Sequence, residues 1–557
     1  MKTTSKVQQL LLALTLLLGS MAPQVAAQCG EAVWPIYAGG SAGNEDVRCF
    51  LFDPIEQLII VGGVSSSEDF APAPNDHGYL FALDLQGNWR WGSFFYNVSY
   101  AVSQIDGCQL SSDGTSIAVM GIGNAQPLMM DLNTKDGSFN RFISLEYIET
   151  SDSVVPQYEN YGAIYYDKRD FRDFQPYFYS AFIKDDVMFM LRVADGAVLG
   201  VDWNYSFQDY SASEVSSNPL LNKKEPHFIV ADPKTQSALY LIGRYRGNGS
   251  VIRFNKRDGQ VRWHAQFNQM SRIHSFSQSS NDDDLFVCGD YQPNEVTDTE
   301  PYTGSNVEFR AVFARMKNDG DVSWIITATG KHPSYDGTDY MDQDKCMGIS
   351  YNKNNERIAV VIQGKMTEVR PSYKGDYYDT ILVLLDEAGS TNKVVVVTQG
   401  SLKYDMYPAK NGILWQGDNV FFSGKSYGYE TSNQVLLKQA DSLEYDAYVY
   451  KYRFGYENKC LRLYEPKESV MQRNMDYTSE RDVPTSGLYT FTTAYRAVPM
   501  NREDNYYIPY PSRYSGGFTL LDTMKIPRPC AYQSQNLTEA EYYRGQNTMQ
   551  YDIQREN

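Results

Sequence analysis

Short apolar runs, tight polar turns and a Gly recur along nearly the whole chain. Leu58-Ile-Ile-Val61, Ile358-Ala-Val-Val-Ile362 and Ile381-Leu-Val-Leu-Leu385 are apolar at every position. A strand of that kind is covered on both faces, whereas a half-exposed strand alternates. Helical periodicity with caps is almost absent. The runs form a phrase: an apolar strand, a polar turn with Gly, and often a Trp in the next strand. Gly87 and Trp91, Gly259 and Trp263, and Gly320 and Trp324 are each four apart.

A second regularity precedes each phrase. Cys49 to Gly62 and Cys108 to Gly121 enclose hairpins of equal length, with looser versions at His227 to Gly243, His274 to Gly289, Cys346 to Gly364 and Tyr407 to Gly424. One more unit is drawn around Pro176 to Phe182 and Val187 to Val193. The second hairpins turn at Gly87, Gly137, Gly196, Gly259, Gly320, Gly389 and Gly455, a mean period of about 61 residues. Four strands per unit and seven units predict an all-β, seven-bladed β-propeller, with eight blades as the alternative. The period exceeds that of compact propellers, and the excess is assigned to loops at Glu68 to His77, Tyr291 to Glu308, Met366 to Asp379 and Tyr427 to Tyr445. Trp91, Trp263 and Trp324 are read as packing between blades.

Closure is assigned to the N-terminus. Ala32 to Gly40 looks like the last strand of a unit with no earlier strands before it. It is expected to complete the blade near residues 405 to 465 and remove a raw edge. A disulfide from Cys29 to Cys460 or Cys530 would lock this clasp.

Three segments follow. Residues 1–27 read as a signal peptide: Lys2 and Lys6, an apolar run from Leu10 to Leu18, then Val25-Ala-Ala27. Residues 28–465 carry the propeller. Residues 466–557 break the repeat, with strands expected at Thr485 to Tyr495 and Gly517 to Ile526; this extension would lie across the propeller or reach a neighbour. No later run approaches the roughly 18 apolar residues of a membrane span. The expected product is secreted, extracellular or cell-surface associated, and does not span a membrane.

Lys and Arg number 50 against 68 Asp and Glu, a formal charge of -18. Nucleic acid, which recruits basic surface, is not an expected partner. The 44 Tyr are divided between blade packing and a binding face. Cys29, Cys49, Cys108, Cys288, Cys346, Cys460 and Cys530 are all disulfide candidates, and seven is an odd number. Sequons at Asn97, Asn204, Asn248 and Asn536 mark glycan-bearing loops if the source is a eukaryote.

Catalytic chemistry is sought with little return. No Cys-x-x-Cys is present, and His77, His227, His264, His274 and His332 are scattered, so no metal site is assigned. Asn281-Asp-Asp-Asp284 reads as a solvated hairpin tip and Ser111-Ser-Asp-Gly114 as a Ser/Asp/Gly turn. Asp46, Asp106 and Asp344 stand just before cysteines near the start of innermost strands, where they either cap turns or ring the channel mouth. No catalytic nucleophile is assigned.

Val33-Trp-Pro-Ile-Tyr-Ala-Gly-Gly-Ser-Ala-Gly-Asn-Glu-Asp46, followed by a hairpin and Leu83-Asp-Leu-Gln-Gly-Asn-Trp89, resembles the bacterial-type β-propeller repeat of secreted and cell-surface proteins. More loosely it is similar to quinoprotein dehydrogenase-like propellers, in which a turn Gly precedes a Trp packed between blades. The resemblance implies a fold and no single activity. The expectation is a non-catalytic structural or interaction module with no cofactor, whose partners are extracellular proteins, further copies of itself or glycans. A carbohydrate-binding lectin and a quinoprotein-like oxidoreductase are the alternatives.

Overall fold

The computed structural model describes residues 36–453 apart from 40–42, 68–75, 88, 96–101, 124–125, 148–157, 169–174, 185–186, 196–198, 208–223, 246, 268–269, 280–283, 292–309, 331–342, 371–372, 390, 399–403 and 429–444. It also describes 470–474, 478–480, 488–490, 495–499 and 507–510. Among these residues, 33 strands form seven antiparallel sheets with no helix.

Blade 1 contains β2 (Glu45–Asp53), β3 (Leu58–Ser65), β4 (His77–Asp84) and β5 (Trp89–Phe95), preceded by the lone β1 (Ile36–Ala38). Blade 2 contains β6 (Val102–Leu110), β7 (Ser116–Gly123), β8 (Gln126–Asn133) and β9 (Phe139–Tyr147). Blade 3 contains β10 (Tyr158–Asp167), β11 (Tyr177–Lys184), β12 (Val187–Asp195) and β13 (Leu199–Phe207). Blade 4 contains β14 (Glu225–Ala231), β15 (Ala238–Tyr245), β16 (Asn248–Asn255) and β17 (Val261–Phe267). Blade 5 contains β18 (Arg272–Gln278), β19 (Leu285–Tyr291), β20 (Arg310–Met316) and β21 (Val322–Gly330). Blade 6 contains β22 (Gln343–Asn352), β23 (Arg357–Arg370), β24 (Tyr373–Asp386) and β25 (Thr391–Thr398). Blade 7 contains β26 (Tyr404–Gln416), β27 (Asn419–Gly428) and β28 (Asp446–Arg453).

The fourth strand of blade 7 is β1, as the sequence predicts. Ile36 pairs with Val449, Tyr37 with Tyr448 and Ala38 with Ala447. The backbone N–H of Glu45 also donates to the Tyr445 carbonyl at 2.8 Å. The two ends of the ring therefore share one sheet, and opening the ring means breaking strand pairing.

The middle strands are buried on both faces. Ile59, Ile60 and Val61 are fully buried, as are Ile358, Ala359, Val360 and Val361. Side chains of one face pack on the preceding blade and those of the other on the next; Ile60 and Leu80 join Ile117 and Val119, while Ile59 and Phe81 join Phe421 and Val449.

The Gly and Trp of the repeated phrase meet between blades, not within one. Trp91 of blade 1 lies under Gly137 of blade 2, Trp263 of blade 4 under Gly320 of blade 5, and Trp324 of blade 5 under Gly389 of blade 6. These glycines have φ of 67°, 93° and 85°, and a Cβ on Gly137 would sit 2.6 Å from the Trp91 ring. The indole N–H of Trp91 donates to the Thr134 carbonyl at 2.8 Å, and that of Trp324 to Glu387 at 2.9 Å. In register, Trp263 and Trp324 stand opposite Arg253 and Arg315; Trp203 of blade 3, opposite Arg192, holds the equivalent place. The turns assigned to Gly196 and Gly455 lie outside the described residues.

Two disulfides join neighbouring blades, Cys49 to Cys108 between blades 1 and 2 and Cys288 to Cys346 between blades 5 and 6. Cys29, Cys460 and Cys530, and with them the proposed clasp, lie outside the described residues.

The sequence-based assignment differs in four places. Met366 to Asp379 is not a loop: the hairpin of β23 and β24 continues in register from Met366 and Tyr377 to Arg370 and Tyr373. Asp284 is not in a solvated tip, because it is buried and takes the Arg315 Nε–H at 2.7 Å. Asn204 lies within β13 and Asn248 opens β16, so neither is in a long loop. The tail builds no eighth blade among the described residues. Its strands β29 (Val470–Asn474), β30 (Thr478–Glu480), β31 (Leu488–Thr490), β32 (Tyr495–Pro499) and β33 (Tyr507–Tyr510) pair with the outermost strands of blades 5, 4, 3, 2 and 1 in that order. Each covers an edge that would otherwise be open to pairing. The strand expected at Gly517 to Ile526 lies outside the described residues, as do Asn97 and Asn536.

Candidate functional site

Seven innermost strands, β2, β6, β10, β14, β18, β22 and β26, start at the same end of the ring, the upper face. The long connections 66–76, 148–157, 208–224, 292–309, 331–342 and 429–445 all join strand ends on this face.

Just inside the upper face the innermost strands bulge. In blade 1, Val47 pairs with Gly63 and Cys49 with Gly62, so Arg48 is left over. The same irregularity leaves out Asp106 in blade 2, His227 in blade 4 and His274 in blade 5. In blade 7 it widens: Pro408 pairs with Gly424 and Ile413 with Phe422, with Ala409, Lys410, Asn411 and Gly412 between. A bulge bends its strand and re-aims a side chain, and it is common beside functional sites.

The glycines opposite explain why the bulge is possible. A Cβ on Gly63, Gly243, Gly289 or Gly424 would overlap the carbonyl oxygen of Asp46, Glu225, Arg272 or Tyr407; on Gly121 it would approach the Gln104 oxygen to 2.6 Å. In blades 1, 2, 4, 5 and 7 a Gly of the second strand thus makes room for the distorted first strand.

The bulge residues and their neighbours form one charged layer. Arg48 is 2.9 Å from Asp106 and 3.3 Å from Asp46, and Lys425 is 3.4 Å from Asp46. Glu225 gathers Arg244 at 3.3 Å, Arg272 at 3.8 Å, Lys410 at 4.0 Å and His227 Nε2 at 3.3 Å. His274 Nε2 lies 3.1 Å from Asp290, and the two imidazoles are 6.4 Å apart. One residue further along the strands the axis is pinched. The Ser275 hydroxyl of blade 5 donates to Asn411 of blade 7 at 2.7 Å, and it accepts the Ile349 N–H of blade 6 at 3.0 Å. On the other side Gly107 and Gly162 meet so closely that a Cβ on Gly107 would lie 2.7 Å from the Gly162 oxygen. The charged layer is the floor of a cup.

Burial sets the protonation of this floor. Desolvation, aided by the charge of Lys410, pushes the His227 imidazole down to about 4 despite Glu225 beside it. Burial also lowers His274, against the pull of Asp290. Burial acts to raise Glu225 and Asp290, yet both carboxyls stand well below their ordinary range, because His227, Lys410 and Arg272 surround the first and His274, Lys345 and Arg272 the second. Lys410 is lowered by burial first; Glu225 and Asp290 oppose the shift, and Arg272 and Arg48 add to it.

A pH dependence follows. The unfolded chain protonates His227 near 6.5 and the folded chain only near 4, so this group's neutral form supports the fold above pH 6.5 and progressively less below it. Moving from pH 8 to pH 5 is expected to cost about 2 kcal/mol of unfolding free energy from His227 alone. His274 acts in the same direction. Glu225 and Asp290, being lowered, withdraw support only below the ordinary carboxylate range. Denaturant titrations at the two pH values check this; His227→Gln should flatten the dependence, and an equal loss in that variant would refute it.

Of the sequence-singled residues, Asp46 and Asp106 do reach the mouth of the channel, but as partners of Arg48. Asp344 is buried, in register with Gly364. Ser111 to Gly114 is the expected turn, with Ser111 Oγ donating to Asp113 at 2.8 Å. His264 sits in β17, away from this layer. The pairing of His227 with His274, and the roles of Arg48, Glu225, Arg272, Asp290 and Lys410, are not apparent from sequence spacing. Among the described residues no group of three or more His, Cys, Asp or Glu is arranged to hold a metal ion, and no helix is long and apolar enough to cross a membrane.

On the upper face above blades 6 and 7, Tyr407 lies 4.5 Å from the Tyr378 ring and 5.6 Å, edge-on, from Tyr445. Lys425 is 5.0 Å over the Tyr445 ring.

No known protein family matches the sequence, and no curated protein matches it. Solved structures do. A protein from Lactobacillus plantarum is 10% identical, with a TM-score of 0.37 over 71% of this chain and 99% of that one. The Dos1 propeller is 7% identical, with a TM-score of 0.34 over 76% and 96%. A europium-containing methanol dehydrogenase is 10% identical, with a TM-score of 0.31 over 75% and 92%. At these levels the matches say nothing about activity.

Proposed function

We propose that the chain is a secreted, non-catalytic recognition module acting at a cell surface or in an extracellular assembly, with the upper face as its contact surface. The observation that carries this reading is the division of the fold. The ring is held by a shared sheet, two interblade disulfides and the Trp wedges, while the long connections all leave from one side. Loops on a fixed frame are the usual carriers of binding. Structural disulfides belong to oxidising compartments, which fits residues 1–27 as a leader, 28–465 as the propeller and 466–557 as an extension. Glycans on Asn97, Asn204, Asn248 and Asn536 form part of the same reading. A lectin role is the second reading, favoured by the grouping of Tyr378, Tyr407 and Tyr445.

Expressed with its own leader, the chain is expected to leave the cell beginning at Gln28, as N-terminal sequencing reads. Labelled, it should bind saturably to the surface of the cells that make it. Replacing residues 429–444 by a two-residue Asn-Gly turn is expected to weaken that binding about ten-fold with no change in melting temperature. Retention inside the cell, or undiminished binding by the shortened form, would sink the reading.

A further inference from the structure

We infer that the belt of tail strands continues past blade 1 onto blade 7. The outer edge of β1 is a docking site for residues 518–526 of the same chain, which pair with Ile36 to Ala38 and lock the clasp from outside. The inference does not depend on the recognition reading above.

The first argument is the open edge. Among the described residues, blades 1 to 5 have five strands each, while blades 6 and 7 have four. β1 pairs with β28 on its inner side, and no described strand lies on its outer side. An edge of that kind is a ready template for another strand. Elsewhere the tail strands, all antiparallel to their partners, take one particular stretch of the fourth strand. In blades 1, 3, 4 and 5 it starts one or two residues beyond Trp91, Trp203, Trp263 and Trp324, and in blade 2 two residues beyond Arg141, which holds the equivalent place. β1 starts two residues beyond Trp34, so the described part of blade 7's fourth strand is the stretch that carries a tail strand in the other blades.

The second argument is order and spacing. The tail strands start at residues 470, 478, 488, 495 and 507 as the chain passes from blade 5 back to blade 1, a mean step of about nine residues. Blade 7 is next in that direction, ahead of blade 6, and one more step leads to about residue 516. The connection 500–506 carries the chain from blade 2 to blade 1. Residues 511–517 are an equally long connection, and it ends where Phe518-Thr-Leu-Leu-Asp-Thr-Met-Lys-Ile526 begins.

The third argument selects the occupant. Phe518, Leu520, Met524 and Ile526 alternate with Thr519, Thr523 and Lys525, the pattern of a strand with one face against the protein, and Gly516-Gly517 and Pro527 bound it. Only Leu521 and Asp522 depart from the alternation. A segment held by so short a tether meets its edge at an effective concentration of about millimolar, which favours the chain's own segment over that of a second copy. With a strand on each side, β1 becomes an interior strand of blade 7. Opening the ring then breaks two ladders in place of one.

The test is residue-resolved amide hydrogen exchange on the full, oxidised chain, with sedimentation of the same samples across a dilution series. An outermost strand bonds through every second residue, so alternate amides within 518–526 are expected to exchange slowly and those between them fast. In β1, Tyr37 points its N–H to one side and Ile36 and Ala38 to the other; whichever faces outward should also be slow. Two full-length variants locate the cause, one with residues 517–526 and one with residues 531–540 replaced by Gly and Ser of equal length. The first should speed exchange of the outward β1 amides about ten-fold or more, and the second should leave them unchanged. The slow amides should stay slow on dilution, with the chain sedimenting as a monomer. Unprotected amides throughout 518–526 would overturn the proposal, and the wild-type chain reads this even if the first variant does not fold. Unchanged β1 exchange in a folded first variant would overturn it too. Protection that fades on dilution together with a dimer would show that the occupant is a second copy, and the proposal would fall.

Discussion

Removing both disulfides, as Cys49→Ala with Cys108→Ala and Cys288→Ala with Cys346→Ala, is expected to lower the unfolding free energy by about 8 kcal/mol, about 4 for each pair. The paired residues are 59 and 58 apart in sequence, so each bond closes a long loop in the unfolded chain and restricts it strongly. The bonds also sit where the fold is easiest to open. Within a blade, four strands are joined by backbone hydrogen bonds; between blades, side-chain packing does most of the holding. Cys49 and Cys108 cross that seam on the innermost strands β2 and β6, and Cys288 and Cys346 cross it from β19 to β22. Against a stability of about 5–15 kcal/mol typical of folded domains, the reduced form would be marginal at best. Cys49, Cys288 and Cys346 are almost fully buried, so reductant should act slowly on the folded chain and quickly in denaturant. Guanidinium unfolding of the two double variants and the quadruple variant reads the effect. Losses under about 1 kcal/mol per pair would show that the seams hold without them.

The repeat was legible because packing repeats, and the cup was not because it depends on register. Gly87, Gly137, Gly259, Gly320 and Gly389 could be read as turns from sequence alone, and all five have positive φ. Their spacing from Trp inside one blade, however, concealed that each Trp serves the turn of the next blade. It also hid Trp203, whose neighbours lack the phrase but whose register matches. Blades 2 and 6 have Arg141 and Lys393 at the equivalent cross-strand places, which is why the Trp signal skips them. Clasp closure was legible from an orphan strand at Ala32 to Gly40. The long hairpin at Met366 to Asp379 was not, since polar and Tyr-rich strands beyond the core carry no apolar run.

A usable signal for the cup did exist. Fifteen residues before Gly63, Gly121 and Gly289 stand Arg48, Asp106 and His274, and sixteen before Gly243 stands His227. Aligning the units on those glycines places Arg48, Asp106 and His274 in one column and His227 one residue before it. Two histidines that look scattered along the chain then occupy adjacent columns in neighbouring blades, which is what makes them neighbours in space. What no alignment of units supplies is the partner set: Glu225 with Lys410 joins blades 4 and 7, and Ser275 with Asn411 joins blades 5 and 7 across the axis.

Gly289→Ala should therefore damage the cup as well as the fold, by about 3 kcal/mol or more, the upper end for an overpacking change. Gly289 pairs with Ile273, and the Arg272 carbonyl oxygen occupies the space its Cβ would need. Backbone cannot rotate aside as a long side chain can. The bulge must shift, and it carries Arg272, which reaches Glu225, and His274, which reaches Asp290. Gly417→Ala is the control: its φ is 59°, with nothing within 4 Å of a new Cβ, so it pays only for the left-handed backbone, about 1 kcal/mol. Denaturant unfolding of the two variants separates steric conflict from backbone strain. Histidine NMR titration adds a readout that general destabilisation would not move: in Gly289→Ala the lowered His274 pKa should return toward its ordinary 6.5, while in Gly417→Ala it should stay lowered. Equal stability of the two variants, with His274 still lowered in both, would mean that the glycine is not what holds the bulge open.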